Sequence, residues 1–381
     1  MTTFFLLTIY LSFVGLGLPD SLVGAAWPAI HTALGVPANG AGYVAAVVSL
    51  CTVISSLVSD RVIKKLGTGL VTALSTLLTA IAVFGFSFCR GMLPMVLLAI
   101  PLGLGAGAVD SGLNGYVASH LKARQMNFLH CFWGIGTMIG PAVMGICLDK
   151  GGWTVGYRAV FVLLCALTAL LFFSMPLWRD EKKEQRERAA GEPLRAVLRR
   201  PAVRLGMASF FLYCGIECIS NVYVSTYLFQ VKHLTESLSA MGSSCFFGGM
   251  MAGRFFAGLL AERVTPRQTL LFSSVLMAIS FLALILLPGA SALAGCVLLG
   301  LGCAAVYPTL MQGTPIRAGG GNMQRVIGLQ MAVSYAACVA LPSLMGILCS
   351  KTGFGVMMFI LLAASVLLLW GTERLHRVMN R

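Results

Sequence analysis

Trp178–Arg200 reads WRDEKKEQRERAAGEPLRAVLRR, and no other stretch of the 381-residue chain is as long and as hydrophilic. What flanks it decides the fold. Upstream, apolar runs fall near 3–30, 39–59, 67–88, 92–119, 125–149 and 155–178. Downstream they fall near 203–230, 237–261, 267–288, 291–313, 323–350 and 353–371. A helix crossing a ~30 Å hydrocarbon layer needs about 20 mainly apolar residues, and each run is of that order. Barrel strands would be shorter and would alternate in polarity, which these runs do not. The sequence therefore predicts an all-α membrane protein of twelve transmembrane helices in two six-helix bundles, residues 1–178 and 201–381. The cytoplasmic linker at 179–200 is expected to be solvated, with part of an interfacial helix in it; a regulatory partner site is the alternative.

Composition agrees. Hydrophobic residues make up 58% of the chain and charged residues only 10%, against about 25% charged in soluble domains. This excludes a string of soluble domains, and it excludes disorder. The first basic residue is Arg61, and Met1-Thr-Thr-Phe4 lacks a charged n-region, so 3–30 reads as a retained first helix rather than a cleaved signal.

Lysine and arginine set the orientation. Twenty-one of the 27 fall on one side of a twelve-span topology: Arg61, Lys64, Lys65, Lys122, Arg124, the nine from Arg179 to Arg204, Arg263, Arg267, Arg317, Arg325, Arg374, Arg377 and Arg381. The positive-inside rule puts that side, and both termini, in the cytoplasm. The net charge of +14 is then a topology signal and not a nucleic-acid footprint. The twelve cysteines lie in or at the ends of spans with no CxxC, so they read as small packing residues. Cys214 and Cys218 share a face but lack a histidine or acid cluster for metal.

The two halves repeat each other at an offset near 200. Gly103-Leu-Gly-Ala-Gly-Ala-Val109 matches Gly300-Leu-Gly-Cys-Ala-Ala-Val306, and Pro141-Ala-Val-Met-Gly-Ile146 matches Pro342-Ser-Leu-Met-Gly-Ile347. Asp60-Arg-Val62 answers Glu262-Arg-Val264. Repeated six-span halves are the build of transporters that rock around a central site. Positions where the halves differ are candidates for the solute, and Asp110 stands where the second half has Tyr307.

On these residues the chain resembles the major facilitator superfamily over essentially its full length. Ser59-Asp60-Arg61-Val-Ile-Lys64-Lys65-Leu-Gly67 looks like that superfamily's acidic/basic loop after span 2, with its leading glycine replaced around Ser56. Within the superfamily the chain resembles the fucose permease-like, proton-coupled sugar symporters through Asp20, Asp110-Ser-Gly-Leu-Asn114, Asn127-Phe-Leu-His130 and Tyr213-Cys-Gly-Ile-Glu217. The resemblance implies that Asp110 carries the proton, that Asp20 is a substrate or coupling acid, and that Asn114 contacts a sugar. Two positions depart from that pattern: Gly115 follows the asparagine where those symporters usually have proline, and His130 stands where they often carry glutamine.

The residues themselves point the same way. An ionisable group in hydrocarbon costs at least ~2.5–3.5 kcal/mol, so each needs a reason. Asp20, Asp110 and Glu217 are the acids deep within spans, and they are the proton-coupling candidates together with His130, a natural titrating partner for Asp110. Asp110 and Asn114 are four apart on one helix face. Asn114, Trp133, Asn221, Tyr223, Tyr227, Tyr307, Gln312, Gln330 and Tyr335 are candidate solute contacts; packing is the competing reading for any one of them. Asp60, Arg61, Arg254, Glu262 and Arg263 are candidate gating residues.

Gly136-x-x-x-Gly140 and Gly249-x-x-x-Gly253 have small-residue packing spacing. The run Gly134-Ile-Gly136-Thr-Met-Ile-Gly140-Pro141 also resembles the span 5 motif of drug/proton antiporters, which makes efflux the alternative to uptake. There is no HExxH, GxSxG, Walker A or GxGxxG, so no enzyme is expected, and neither a metal nor a cofactor. Energy is expected from a proton gradient, with sodium the alternative. The expected partners are a small-molecule solute and the lipid bilayer, with no nucleic acid. The expected state is a monomer in a bacterial inner membrane.

Overall fold

The computed structural model describes residues 3–36, 40–178, 193–234 and 236–380, and every regular element among them is helical. In the first half these are α1 (Thr3–Asp20), α2 (Leu22–Leu34), α3 (Gly40–Leu66), α4 (Thr68–Phe86), α5 (Met92–His120), α6 (Ala123–Gly151) and α7 (Trp153–Phe173). A short α8 (Leu194–Arg199) precedes α9 (Pro201–Gln230), α10 (Glu236–Leu260), α11 (Pro266–Leu286), α12 (Ala292–Ala304), α13 (Val306–Gln312), α14 (Thr314–Ala318), α15 (Met323–Thr352) and α16 (Gly355–Met379).

Eleven segments among the described residues are long and apolar enough to span a membrane, α1 running on into α2 as one of them. The serine- and glycine-rich α10 is not among the eleven, but its 25 residues have the length of a twelfth. Large apolar side chains lie on the outside: Phe173 is 82% exposed, Leu286 74%, Leu93 70% and Phe272 68%. Such a surface suits lipid and would be a liability in water.

Four boundaries differ from the sequence reading, each for a backbone reason. The apolar run of span 2 stops at the first charges, but the hydrogen-bonded helix continues to Leu66. The acidic/basic signature is therefore the last turns of α3 and not a loop. Lys64 and Lys65 sit at the helix C-terminus, where the dipole favours cations, and Gly67 ends the turn at φ +83°, a conformation glycine adopts freely. α16 likewise runs on through polar Thr372–Met379. Span 1 is interrupted at Ser21, two residues after Pro19, which supplies no amide hydrogen to the Gly15 carbonyl and so weakens the helix just before the break. Span 10 breaks at Ala305 between α12 and α13.

By packing, the chain divides into two compact units. One comprises Met1–Tyr116, Leu129–Gly191 and Ile327–Ala332. The other comprises Val117–Phe128, Glu192–Val326 and Val333–Arg381. The core of the first packs Leu22, Ala26 and Ile30 of α2 against Val83 and Phe86 of α4, Met95 and Ala99 of α5, and Tyr157, Val160 and Leu164 of α7.

The repeated glycines do the same work in each unit. A Cβ on Gly103 would run into the Val48 carbonyl of α3, and one on Gly300 into the Phe246 carbonyl of α10. Two residues on, Gly105 faces Ser75 and Thr79 of α4, as Gly302 faces Met277 of α11. Helices in lipid associate by close packing, since lipid tails are as apolar as leucine, and small residues let the backbones meet. Gly249 and Gly253 likewise seat α10 against Val297, Leu301 and Ala304 of α12.

The linker contributes α8, a basic six-residue helix with Val197 buried. Residues 179–192, which carry the rest of the linker reading, lie outside the described residues.

Candidate transport site

The first unit holds a continuous polar cluster. Asp110 and Asn114 both project from α5, and Asn114 Nδ2 donates to Asp110 Oδ1 at 2.7 Å and to the Asp110 carbonyl at 3.0 Å. His130 reaches in from α6 with Nε2 3.1 Å from Asn114 Oδ1. Asp110 is 7% exposed, His130 6% and Asn114 0%. The Phe13 ring of α1 stands edge-on to the imidazole, centroids 5.4 Å apart.

At the break in span 1, Asp20 accepts a 2.9 Å hydrogen bond from the Trp133 indole nitrogen, one turn along α6 from His130. Glycines make this possible. α1 and α6 meet backbone to backbone where Gly17 faces the Trp133 carbonyl, Gly136 the Val14 carbonyl and Gly140 the Leu18 carbonyl, and Ser21 Oγ donates to the Thr137 carbonyl at 2.9 Å. Asp20 itself is exposed and Trp133 half-buried. The result is a carboxylate with an indole donor at the break in span 1, beside a buried carboxylate–amide–imidazole chain. Burying polar groups is tolerable when they satisfy one another, and Asn114 spends both amide hydrogens and its oxygen in doing so. A solute contact from Asn114 would require that network to open.

In the second unit, Glu217 of α9 and Arg254 of α10 form an ion pair at 3.7 Å, with Arg254 buried and the Glu217 side chain 21% exposed. Two sequence candidates from different roles, coupling and gating, are thus partners. Tyr213, one helical turn before Glu217, donates to the Cys303 carbonyl at 2.8 Å and so serves the broken end of α12, whose last carbonyls have no helical donors. In the sequence Tyr213 stands out only as the first residue of Tyr213-Cys-Gly-Ile-Glu217, and its i, i+4 spacing from Glu217 is the signal that sets it on the same helix face.

The aromatic candidates of this unit are largely committed to backbone. Tyr227 donates to the Leu284 carbonyl at 3.0 Å while Lys232 takes the next one, Ile285, at 2.8 Å, so that the two cap the end of α11. Tyr223 donates to the Pro342 carbonyl at 3.0 Å and packs where Gly346 lacks a side chain. Tyr307 is half-buried, edge-on to Phe210, and Gln312 donates to the Leu121 carbonyl at 2.8 Å. Tyr335 is half-buried and Asn221 exposed; Gln330, which belongs to the first unit, is buried.

Of the remaining gating candidates, Asp60 is buried and paired at 3.0 Å with Lys64, four residues on in the same helix. Glu262 pairs with Lys122 at 3.4 Å, both well exposed, a geometry worth little on its own. Arg61 and Arg263 are exposed. A groove of about 320 Å³ in the first unit, lined by Ile54, Val58, Val62, Leu74 and Leu104 among others, is apolar and holds none of the acids.

A polytopic helical chain with interrupted spans and buried ionisable groups has the build of a membrane transporter. The sequence pattern of the Major Facilitator Superfamily matches residues 9–342, and the chain belongs to that family. It is 26% identical over 270 residues to the glucose/mannose transporter GlcP of Bacillus subtilis, the match covering 66% of this chain and 65% of that protein. It is 23% identical over 257 residues to the quinolone resistance protein NorA of Staphylococcus aureus, covering 65% and 64%. The chain thus spans slightly under two thirds of the length of these curated relatives. Among solved structures it is similar to the E. coli fucose:proton symporter FucP, at a TM-score of 0.80 and 15% identity over 98% of both chains. The architecture is therefore the twelve-helix major facilitator fold.

Proposed function

We propose that the protein takes up a sugar-like, hydroxylated solute by proton-coupled symport through alternating access. One observation carries the reading: Asp110, Asn114 and His130 form a single buried hydrogen-bonded chain in the first unit, beside Asp20 and its indole donor. A buried carboxylate linked to an imidazole is suited to binding and releasing a proton. An exposed carboxylate with an aromatic neighbour suits a polyhydroxylated ring, which offers hydroxyl donors and an apolar face. Asp110 and His130 are assigned the proton. Asp20 is assigned the solute or the coupling between the two, and Glu217 a modulating role through Arg254. Trp133, Tyr307, Asn221, Gln312, Gln330 and Tyr335 are assigned the solute path, while Asp60, Arg61, Arg254, Glu262 and Arg263 are assigned to gating. The names of GlcP and FucP, a glucose/mannose transporter and a fucose:proton symporter, support a sugar. We place the protein as a monomer in a bacterial inner membrane, with both termini cytoplasmic, the linker 179–200 joining the halves, and the proton gradient in place of any cofactor.

A second reading, drug or metabolite efflux by proton antiport, is favoured by the match to NorA. Solute-triggered proton movement in proteoliposomes, followed with an internal pH-sensitive dye, separates the two. D-glucose, D-mannose or L-fucose should drive proton entry with the sugar in wild type, and Asp110→Asn should abolish it. Counterflow of protons against a fluoroquinolone, with silence towards sugars, would replace symport by efflux.

A further inference from the structure

The direction of every hydrogen bond along the buried chain in the first unit follows from the chemistry of its ends. A carboxylate and a backbone carbonyl only accept, so the end of the Asn114 amide that lies 2.7 Å from Asp110 Oδ1 and 3.0 Å from the Asp110 carbonyl must be its NH₂. The other end is the oxygen, and it faces His130 Nε2 at 3.1 Å. An acceptor opposite a ring nitrogen requires that nitrogen to carry hydrogen. The neutral imidazole is therefore the Nε2–H tautomer, and Nδ1 is the atom that takes a further proton. The Phe13 ring, edge-on to the imidazole from α1, holds the ring plane.

We propose that Asn114 is a positioning residue that couples His130 to Asp110, so that the two take up protons as one two-site unit rather than independently. The mechanism is polarisation through the amide. A proton on His130 Nδ1 makes Nε2–H a stronger donor to Asn114 Oδ1, and the polarised amide in turn strengthens the hydrogen bond that Nδ2 gives Asp110. Loss of negative charge at Asp110 weakens the same chain in reverse. Interacting sites of this kind titrate in two macroscopic steps that belong to the pair. Other titratable groups on these helices among the described residues are Asp20 at the end of α1, whose carboxylate accepts from Trp133; Tyr10 of α1, stacked on Phe132; and Cys131, beside His130 on α6. Transport uses this coupling if the symport reading above holds; the coupling itself requires no solute.

The test is an infrared pH titration of the purified full-length protein in lipid vesicles. The protonated-carboxyl band of Asp110 is isolated by subtracting the spectrum of Asp110→Asn. Wild type should show a two-step titration of that band. His130→Gln keeps a side-chain N–H that can reach Asn114 Oδ1 but cannot titrate, and should collapse the curve to one step. Asn114→Leu, with His130 intact, should also give one step. Retention of two steps in either variant, with melting temperature and elution profile like wild type, would overturn the proposal. His130→Ala serves as the disruptive comparison: if it alone alters the curve while His130→Gln keeps both steps, the histidine is a structural donor and the proposal fails. Sugar-driven proton entry, measured separately on wild type, reports on the symport reading and leaves this outcome unaffected.

Discussion

The Glu217–Arg254 pair is the residue-scale feature that sequence reasoning did not connect. Nothing in the chain says that a base in α10 and an acid in α9 share an environment, because their meeting depends on how two helices are rotated. The acids themselves were legible, since any ionisable group in an apolar run stands out, and the Asp110–Asn114 contact followed from i, i+4 spacing. The Trp133–Asp20 bond was not, for it rests on the close α1–α6 approach. Removing one member of a buried pair leaves the other's charge uncompensated, at a cost of about 3 kcal/mol or more, whereas replacing both is often nearly neutral. Arg254→Leu should therefore lower the melting temperature of the purified protein markedly, and Arg254→Leu combined with Glu217→Gln should regain most of the loss. Additive losses would show that the two side chains stabilise the unit separately.

At the scale of elements, helix existence was readable from apolar runs, but helix ends were not. Hydropathy stops at the first charge, while backbone hydrogen bonding continues through Asp60–Leu66 because a helix end tolerates lysines. The break after Asp20 had a local signal in Pro19. The break at Ala305 had one too, because Pro308 offers no N–H to the Ala304 carbonyl four residues back. Small-residue spacing proved informative about contacts. Gly136 is one of three glycines through which α1 and α6 meet, whereas Gly134, on the same helix, has nothing within 4 Å of where a Cβ would stand. Gly136→Ala must push a methyl into the Val14 carbonyl, an overpacking worth about 1–3 kcal/mol, and it also separates Asp20 from Trp133. It should lower the melting temperature and weaken sugar-driven proton entry. Gly134→Ala should do neither, because alanine is the better helix former by about 1 kcal/mol. Equal melting of the two variants would mean that the α1–α6 approach is loose enough to absorb a methyl group.

For the whole molecule, the repeat is the deepest piece of information in the sequence. Gly103 and Gly300 occupy equivalent places in the two repeated halves, each admitting a neighbouring carbonyl. The differences between the halves, Asp110 against Tyr307 above all, are where we propose that transport chemistry departs from scaffold. Orientation in the bilayer is a property of the entire chain, because it is written in the loops of both halves. In the proposed topology twenty-one lysines and arginines lie on one side and act against translocation. Green fluorescent protein fused after Arg381 should therefore fluoresce, while alkaline phosphatase fused there should be inactive. Phosphatase inserted in the turn Val231–Leu234 between α9 and α10 should be active, since the proposed topology puts that turn on the opposite face, with Lys232 its one lysine or arginine. Activity at the C-terminus together with silence at the turn would invert the topology. It would also move Asp60, Arg61, Glu262 and Arg263 from the cytoplasmic to the external mouth, and the gating assignment would fall with it.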